Sequence, residues 1–461
     1  MAFEGLMVSV SGVRGRVGDG LTPEIIAQFA SGFGAWALQQ ARSAGKERAS
    51  IVVGRDSRVS GQMFHRVVLS ALESVGCQVL DVGMAPTPTI QLAVEHNHAA
   101  GGLAITASHN PIEWNALKFI GPSGLFLDAA EGAAMREIVG GTIPRATWDK
   151  LGSTTTLSDA ADFHIDQILK LEFIDVEAIR ARKFKVALDC VRGAGGAFMP
   201  RLLERLGCEV TAINLETDGR FPRPPEPVAE NLGELEALVK KSGAEIGFAV
   251  DPDVDRLALV SEKGKAIGED YTLALAAKVV LQHRKGPVVT NLSTSRIVDD
   301  IAEEAGRKVV RAPVGEVNVA TRMRSEGAPI GGEGNGGVIL TEMHLGRDAP
   351  VGAALILQLL LQEKRPLSEI VGSYPRYHIV KDKLDRPKAP LDSVYASMKT
   401  AFPKASADTQ DGLRLTWPDR WVHVRPSGTE PIVRVIAEAP TEAEARQLIA
   451  ECRAPLDALA G

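Results

Sequence analysis

The sequence is poor in cysteine. Its four, Cys77, Cys190, Cys208 and Cys452, are too few and too scattered for a disulfide framework or a zinc ribbon, which points to a reducing, cytoplasmic setting. It also lacks an excess of basic residues. Lys and Arg number 52 against 58 Asp and Glu, and the formal net charge of -6 has the wrong sign for meeting nucleic acid or anionic lipid over a broad surface. No nucleic-acid partner and no membrane partner is expected, so any anion must be met locally. Long apolar runs are missing as well. The most apolar helix-like stretch, 351–361, runs into Gln-Glu-Lys-Arg and is well short of the roughly 20 residues that cross a bilayer. It reads as a buried core helix. The opening Met1-Ala2-Phe3-Glu4-Gly5-Leu6 has neither the basic start nor the apolar run of a signal peptide, so no export is expected.

What is present is a chain of 461 residues, 45% hydrophobic and 24% charged. Those proportions are ordinary for folded globular proteins, and at about 150 residues per domain the length suggests three or four domains. Three stretches repeat one pattern: an apolar strand, a polar loop, an amphipathic helix ending at Gly, and a second short strand. The first starts at Ile51-Val52-Val53 and reaches Gly76-Cys77-Gln78-Val79-Leu80. The second runs from Lys185-Val186-Ala187-Leu188-Asp189 to Gly207-Cys208-Glu209-Val210, and the third from Val288-Val289-Thr290 to Gly306-Arg307-Lys308-Val309-Val310. Apolar strands without alternation, joined by helices with Gly just past the end, indicate parallel strands covered on both faces. After Pro375 the texture becomes α+β. The expected fold is therefore α/β: three similar α/β domains with mixed, largely parallel sheets and a fourth, smaller α+β domain, divided at 1–150, 151–256, 257–372 and 373–461, with the active-site cleft between them.

Four loops carry chemistry. Thr106-Ala107-Ser108-His109-Asn110-Pro111 follows the small-residue strand Gly101-Gly102-Leu103-Ala104-Ile105. A hydroxyl beside His on a turn that Pro111 restrains is a nucleophile candidate, although alone the loop reads as a polar turn. Asp251-Pro252-Asp253-Val254-Asp255-Arg256 puts three carboxylates at alternate positions, able to converge on one hard cation such as Mg²⁺. An EF-hand fails here, because Arg256 stands at the sixth position where that loop needs Gly, and the flanks read as strands. Gly331-Gly332-Glu333-Gly334-Asn335-Gly336-Gly337 lets backbone approach a ligand, with Glu333 and Asn335 suited to sugar hydroxyls; taken alone it reads as a Gly-rich hairpin. Arg425-Pro426-Ser427-Gly428-Thr429-Glu430-Pro431 combines a guanidinium fork, two hydroxyls and a Gly N–H, suiting a terminal phosphate, or is an ordinary turn.

In this order and spacing the four loops resemble the α-D-phosphohexomutase family, over essentially the whole chain. The resemblance extends to Ser11-Gly12-Val13-Arg14-Gly15, Gly54-Arg55-Asp56-Ser57-Arg58 and Pro313-Val314-Gly315. It implies reversible transfer of phosphate between the 6- and 1-hydroxyls of a hexose, through a phosphoserine at Ser108 and a hexose 1,6-bisphosphate that serves as intermediate and activator. Mg²⁺ would be held by Ser108, Asp251, Asp253 and Asp255. Arg14, Lys118 and Arg256 would supply positive charge, Lys118 also acting as general acid/base, and His109 would support the Ser108 loop. Glu333 and Asn335 would meet the sugar, while Arg425, Ser427, Gly428 and Thr429 would meet the phosphate that is not reacting. The four units then become a phosphoserine-loop, a metal-loop, a sugar-binding and a phosphate-binding domain, in a monomer or homodimer.

One loop departs from the family's usual Gly-Glu-x-Ser-Gly-His. Asn335 stands at the Ser position and Gly337 at the His position, which shifts weight to Lys118 and raises His344 as a substitute. The variant loop, Glu342-Met343-His344-Leu345-Gly346-Arg347-Asp348 after it, and the Arg-Pro-Ser-Gly-Thr-Glu-Pro loop look most like a bacterial subgroup similar to phosphoglucosamine mutase, which favours glucosamine over glucose or mannose. A sugar phosphatase and a non-catalytic sugar-phosphate-binding relative are the remaining alternatives.

Overall fold

The computed structural model describes residues 5–9, 12–386, 389–426 and 432–458. Four sheets account for its strands. In each of the first three, one four-strand arrangement recurs. In the first sheet Ser50–Arg55 is central, with Gln78–Met84 parallel on one side and Gly101–Ile105 parallel on the other; Trp114–Ile120 then returns antiparallel on Gly101–Ile105. Lys185–Asp189, Glu209–Ile213, Ile246–Val250 and Leu257–Ser261 repeat this in the second, and Val288–Asn291, Val309–Ala312, Ile330–Glu333 and Gly337–Leu340 in the third. The fourth sheet, built from His378–Asp385, Ile432–Ala439, Trp421–Pro426, Leu413–Thr416 and Ser406–Asp408, is antiparallel throughout. Three mixed, largely parallel units and a different fourth are thus observed.

The recurring arrangement places the chemistry. Each turn from the third strand to its antiparallel return carries one of the first three loops: Ser108 in the first unit, the three aspartates in the second and Gly334-Asn335-Gly336 in the third. The loop after each central strand is tied by a common device. Asp56 accepts a hydrogen bond from the N–H of Arg58 at 3.0 Å, Asp189 from that of Val191 at 2.9 Å, and Asn291 from that of Ser293 at 2.8 Å. Such Asx turns satisfy backbone donors where the strand has stopped supplying acceptors.

Two sheets run past the boundaries expected from the sequence. Thr154–Thr156 adds a parallel edge strand to Gln78–Met84, so the first sheet passes residue 150. Leu257–Ser261 and Lys265–Ala266 pair back toward Ile246–Val250, which carries the second sheet past residue 256. At 150 a further edge strand joins the sheet after an irregular stretch, and at 256 the strand after the aspartate loop pairs with the strand before it.

Packing joins the units unequally. One apolar core spans the second and third, with Phe198, Phe248, Leu273 and Leu357 all buried in it. The first unit has its own core around Phe29, Phe33 and Phe119, and the fourth another around Leu413, Val424 and Val435. The apolar stretch 351–361 falls within the buried helix Ala349–Glu363, which starts with Asp348 as N-cap and Pro350 in its first turn. No helix among the described residues is long and apolar enough to cross a membrane. A buried polar relay joins the first three units: Thr89 Oγ1 lies 2.8 Å from His164 Nδ1, and His164 Nε2 lies 2.8 Å from Asp348 Oδ2.

Candidate active site

The strand Gly101–Ile105 delivers Thr106, whose hydroxyl donates to Asp56 Oδ2 at 2.6 Å and accepts from the Ser108 N–H at 2.9 Å. Ser108 then sits at φ +48°, in the left-handed region that a non-glycine residue holds only when its surroundings impose it. Arg58 supplies those surroundings. Its guanidinium, itself paired with Asp56, donates to the carbonyl oxygens of Ser108, Asn110, Pro111 and Trp114 at 2.6–2.9 Å. Ser108 Oγ thereby meets the second unit, donating to Asp251 Oδ2 at 2.8 Å.

The three aspartates lie in the hairpin between Ile246–Val250 and Leu257–Ser261, all buried, with a ligand atom of each within 4.8 Å of the others. Val254 at φ +62° turns the chain between them. Lys118 Nζ donates to Asp253 Oδ2 at 2.6 Å and lies 3.8 Å from Asp255 Oδ2, while Thr87 Oγ1 also donates to Asp253 Oδ2, at 2.8 Å. Asp253 Oδ1 and Asp255 Oδ1 are buried without a hydrogen-bond partner. Burial, with the charges of Asp255 and Asp253, holds Asp251 well above the usual carboxylate range. Buried oxygens lacking donors and carboxyls crowding one another are what a hard divalent cation would satisfy, so the residues present fit Mg²⁺.

Burial alone would lower Lys118, but Asp253 and Asp255 outweigh it and hold the ammonium above its usual value. His109 is driven down to about 2 by burial and by Arg256, Arg14 and Arg347 around it, so its ring is neutral at ordinary pH; Nδ1 stands 3.3 Å from Ser108 Oγ. Arg14 donates to Asn110 Oδ1 at 2.8 Å, and Arg256 to Glu226 Oε1 at 3.0 Å.

In the third unit Glu333 is held on both oxygens. Oε1 accepts from Asn291 Nδ2 at 2.9 Å and the Gly315 N–H at 3.0 Å, and Oε2 from Arg347 Nη1 at 2.8 Å and Asn335 Nδ2 at 3.4 Å. Arg347 stands at the seam of the second and third units, reaching Asp255 Oδ2 at 2.5 Å with Nη2 and Glu316 Oε2 at 3.1 Å with Nε. From the fourth unit Arg425 Nε lies 3.0 Å from Asp411 Oδ2, an oxygen that also accepts the Val314 N–H at 3.0 Å.

These groups converge. Ser108, Lys118, Arg256, Glu333, Asn335 and Arg425 line one cleft of about 1180 Å³, which Arg14 and His109 also line, with the aspartates buried behind Ser108 and Lys118. Ser427, Gly428 and Thr429 lie outside the described residues, as does Ser11. The expectation that His344 approaches the cleft is corrected. Its ring is buried, with Nε2 3.1 Å from Asp348 Oδ2 and Nδ1 accepting the Gly346 N–H, so both nitrogens are engaged within their own turn. Sequence reasoning assigned no role to Arg58, Arg347, Glu226 or Asp411. The available signal for the first was its place in Gly-Arg-Asp-Ser-Arg, directly after a buried strand.

Comparison with known proteins covers the whole site. Residues 6–142, 162–264 and 268–377 match phosphoglucomutase/phosphomannomutase alpha/beta/alpha domains I, II and III, and residues 382–454 match the C-terminal domain. The chain is 39% identical to a phosphoglucomutase/phosphomannomutase of Thermococcus kodakarensis, over 96% of this chain and 97% of that one. It is 37% identical to a probable phosphoglucosamine mutase of Methanopyrus kandleri, over 96% of both. Among solved structures, a phosphoglucomutase/phosphomannomutase family protein of Burkholderia thailandensis superposes with a TM-score of 0.84 at 28% identity, over 98% of each chain.

Proposed function

The chain belongs to the phosphoglucomutase/phosphomannomutase family of α-D-phosphohexomutases, and from that premise we propose that it interconverts hexose 6-phosphate and hexose 1-phosphate, with glucosamine as the favoured sugar. The observation that carries this reading is the hydrogen bond from Ser108 Oγ to Asp251 beside a cleft rich in cations. Ser108 is the phosphoryl carrier. As a sugar hydroxyl attacks, the P–O bond to Ser108 Oγ breaks and the bond to the sugar oxygen forms, giving hexose 1,6-bisphosphate. The bisphosphate turns over, and its other phosphoryl group returns to Ser108.

Lys118 carries the proton. Charged at the outset beside Asp253 and Asp255, it gives a proton to the departing Ser108 oxygen and recovers one from the attacking hydroxyl. Asp251, Asp253 and Asp255, with an oxygen of phosphorylated Ser108, would hold Mg²⁺, whose charge when bound stabilises the oxygens of the phosphoryl group in transit. Arg14 and Arg256 add positive charge around the same group, and neutral His109 supports the loop without repelling them. Glu333, ionised within its set of donors, and Asn335 receive sugar hydroxyls. Arg425 with Ser427, Gly428 and Thr429 clamps the idle phosphate, so a swing of the fourth unit admits the turnover of the bisphosphate without releasing it. A cytoplasmic location belongs to the same proposal and agrees with four buried thiols.

Glucose and mannose phosphates remain the competing substrates, since the 39% identical relative is named for them. A panel of the 6-phosphates of glucosamine, glucose and mannose, read as 1-phosphate formed, ranks the three. Inorganic phosphate released faster than any 1-phosphate would make the protein a phosphatase. A wild-type chain that intact-mass measurement shows cannot take up phosphate would leave only a sugar-phosphate-binding role.

A further inference from the structure

Gly337 has no conformational reason to be glycine. Its neighbour Gly336 takes φ +86°, whereas Gly337 is a strand residue outside the left-handed region. Its reason is space. A β-carbon at 337 would lie 2.3 Å from Arg347 Cδ and 3.0 Å from Cγ, because the arginine stem crosses this strand on its way to the cleft. The stem has little freedom to yield, since its guanidinium is fixed at the far end by Asp255, Glu333 and Glu316. Gly337 and Arg347 are therefore one unit.

That unit sits between two sites. One side of the guanidinium, Nη2, holds Asp255 Oδ2 and leaves Oδ1 of the same carboxylate buried and without a hydrogen-bond partner, the Arg256 Nε standing 3.9 Å away. The other side, Nη1, holds Glu333 Oε2, on the carboxylate that lines the cleft. A planar fork fixes the angle between the two carboxylates as well as their distance, which an ammonium cannot do. We propose that Arg347 is the positioning residue that couples cation binding at Asp255 to sugar binding at Glu333, so that each ligand raises the affinity for the other. A cation on Asp255 Oδ1 restrains that carboxylate, the fork passes the restraint to Glu333, and hydroxyls on Glu333 restrain the fork from the opposite side. Thermodynamic linkage makes the effect reciprocal. The inference rests on the mutase reading, because it takes the occupant of the Glu333 side to be a hexose phosphate.

The test uses the full-length Ser108→Ala protein, which binds without turning over. Calorimetry gives the dissociation constant of glucosamine 6-phosphate with and without Mg²⁺, and that of Mg²⁺ with and without the sugar. In this parent each ligand is expected to tighten the other about tenfold. Adding Arg347→Met should bring both ratios to within about twofold of unity. Gly337→Ala, which keeps the charge but displaces the stem, should do the same, and combining it with Arg347→Met should add no further change, as expected of residues that act together. Arg347→Lys, which retains charge without the fork, should not restore the coupling. Should Arg347→Met fail to fold, the glycine variant carries the test. A parent in which neither ligand affects the other overturns the proposal, as do variants that lose affinity for one ligand while keeping the parental ratio. A parent that binds no hexose 6-phosphate under either condition overturns the mutase reading itself, which is a distinguishable result.

Discussion

The Arg58 guanidinium donates to the carbonyl oxygen of Ser108 at 2.6 Å, and with three further carbonyls and Asp56 it forms the template on which the Ser108 loop is laid. Arg58→Lys retains the charge but cannot reach both sides of the loop. Losing these charge-assisted bonds is expected to cost about 2–4 kcal/mol of stability. Turnover should fall more than 6-phosphate KM rises, because on the proposed mechanism the loop presents the phosphoryl carrier Ser108 and not the sugar site. Thermal melts with steady-state kinetics check this, and an unchanged kcat would show that other contacts hold the loop.

Asp253→Ala removes both a candidate cation ligand and the partner of Lys118. Turnover at saturating Mg²⁺ is expected to drop about 10²–10³-fold, with sugar-phosphate affinity little changed, since on the proposed mechanism these charges act on the phosphoryl group in transit. Undiminished kcat would remove Asp253 from the cation site.

Arg425→Ala strips the fourth unit of the guanidinium paired with Asp411. The expected result is a KM raised about 10- to 100-fold, the worth of a hydrogen bond to a charged group, together with hexose 1,6-bisphosphate appearing in solution during turnover. Anion-exchange chromatography of the reaction mixture detects the leak; its absence, with KM unmoved, would place the phosphate elsewhere.

Asp270 lines the cleft and accepts the Ser295 N–H at 2.8 Å. Burial, with Glu438 and Glu269 nearby, raises it from 3.8 to about 7 against the opposing hydrogen bond. The folded chain therefore binds this proton more tightly than the unfolded one. The stability it contributes is complete below pH 4 and is lost as the pH climbs toward 7 and beyond. Asp270→Asn, which stays neutral, should be more stable than wild type at pH 8 by on the order of 1–3 kcal/mol and gain nothing at pH 4. Denaturant titrations at the two pH values decide; an equal effect at both would mean that Asp270 ionises normally.

Much of this architecture was legible in the sequence. The three repeats predict parallel strands because apolar residues run on without alternation, and Ser108 and the aspartates stand out because chemistry-bearing residues cluster between such strands. The hidden part is held across long separations. Arg58 meets Ser108 fifty residues on, and Arg347 meets Asp255 ninety-two residues back, so neither contact has a local pattern. His344 misleads for a different reason, because its partner is local, only four residues away. Its nearness in sequence to the sugar loop suggested the cleft, while the N-cap Asp348 draws it into the interior. The boundary at 256 fell on the loop that carries the aspartates, although the strand after that loop belongs to the same sheet as the strand before it.

The relay Thr89, His164, Asp348 bears on how the protein comes apart. It draws one residue from each of the first three units and hides all three from water. A fragment comprising the second unit alone would expose the His164 ring without either partner, along with the apolar surface it shares with the third. The second and third units are separate in architecture but share one apolar core: they should melt in a single calorimetric transition, and cutting the gene between them should yield insoluble pieces.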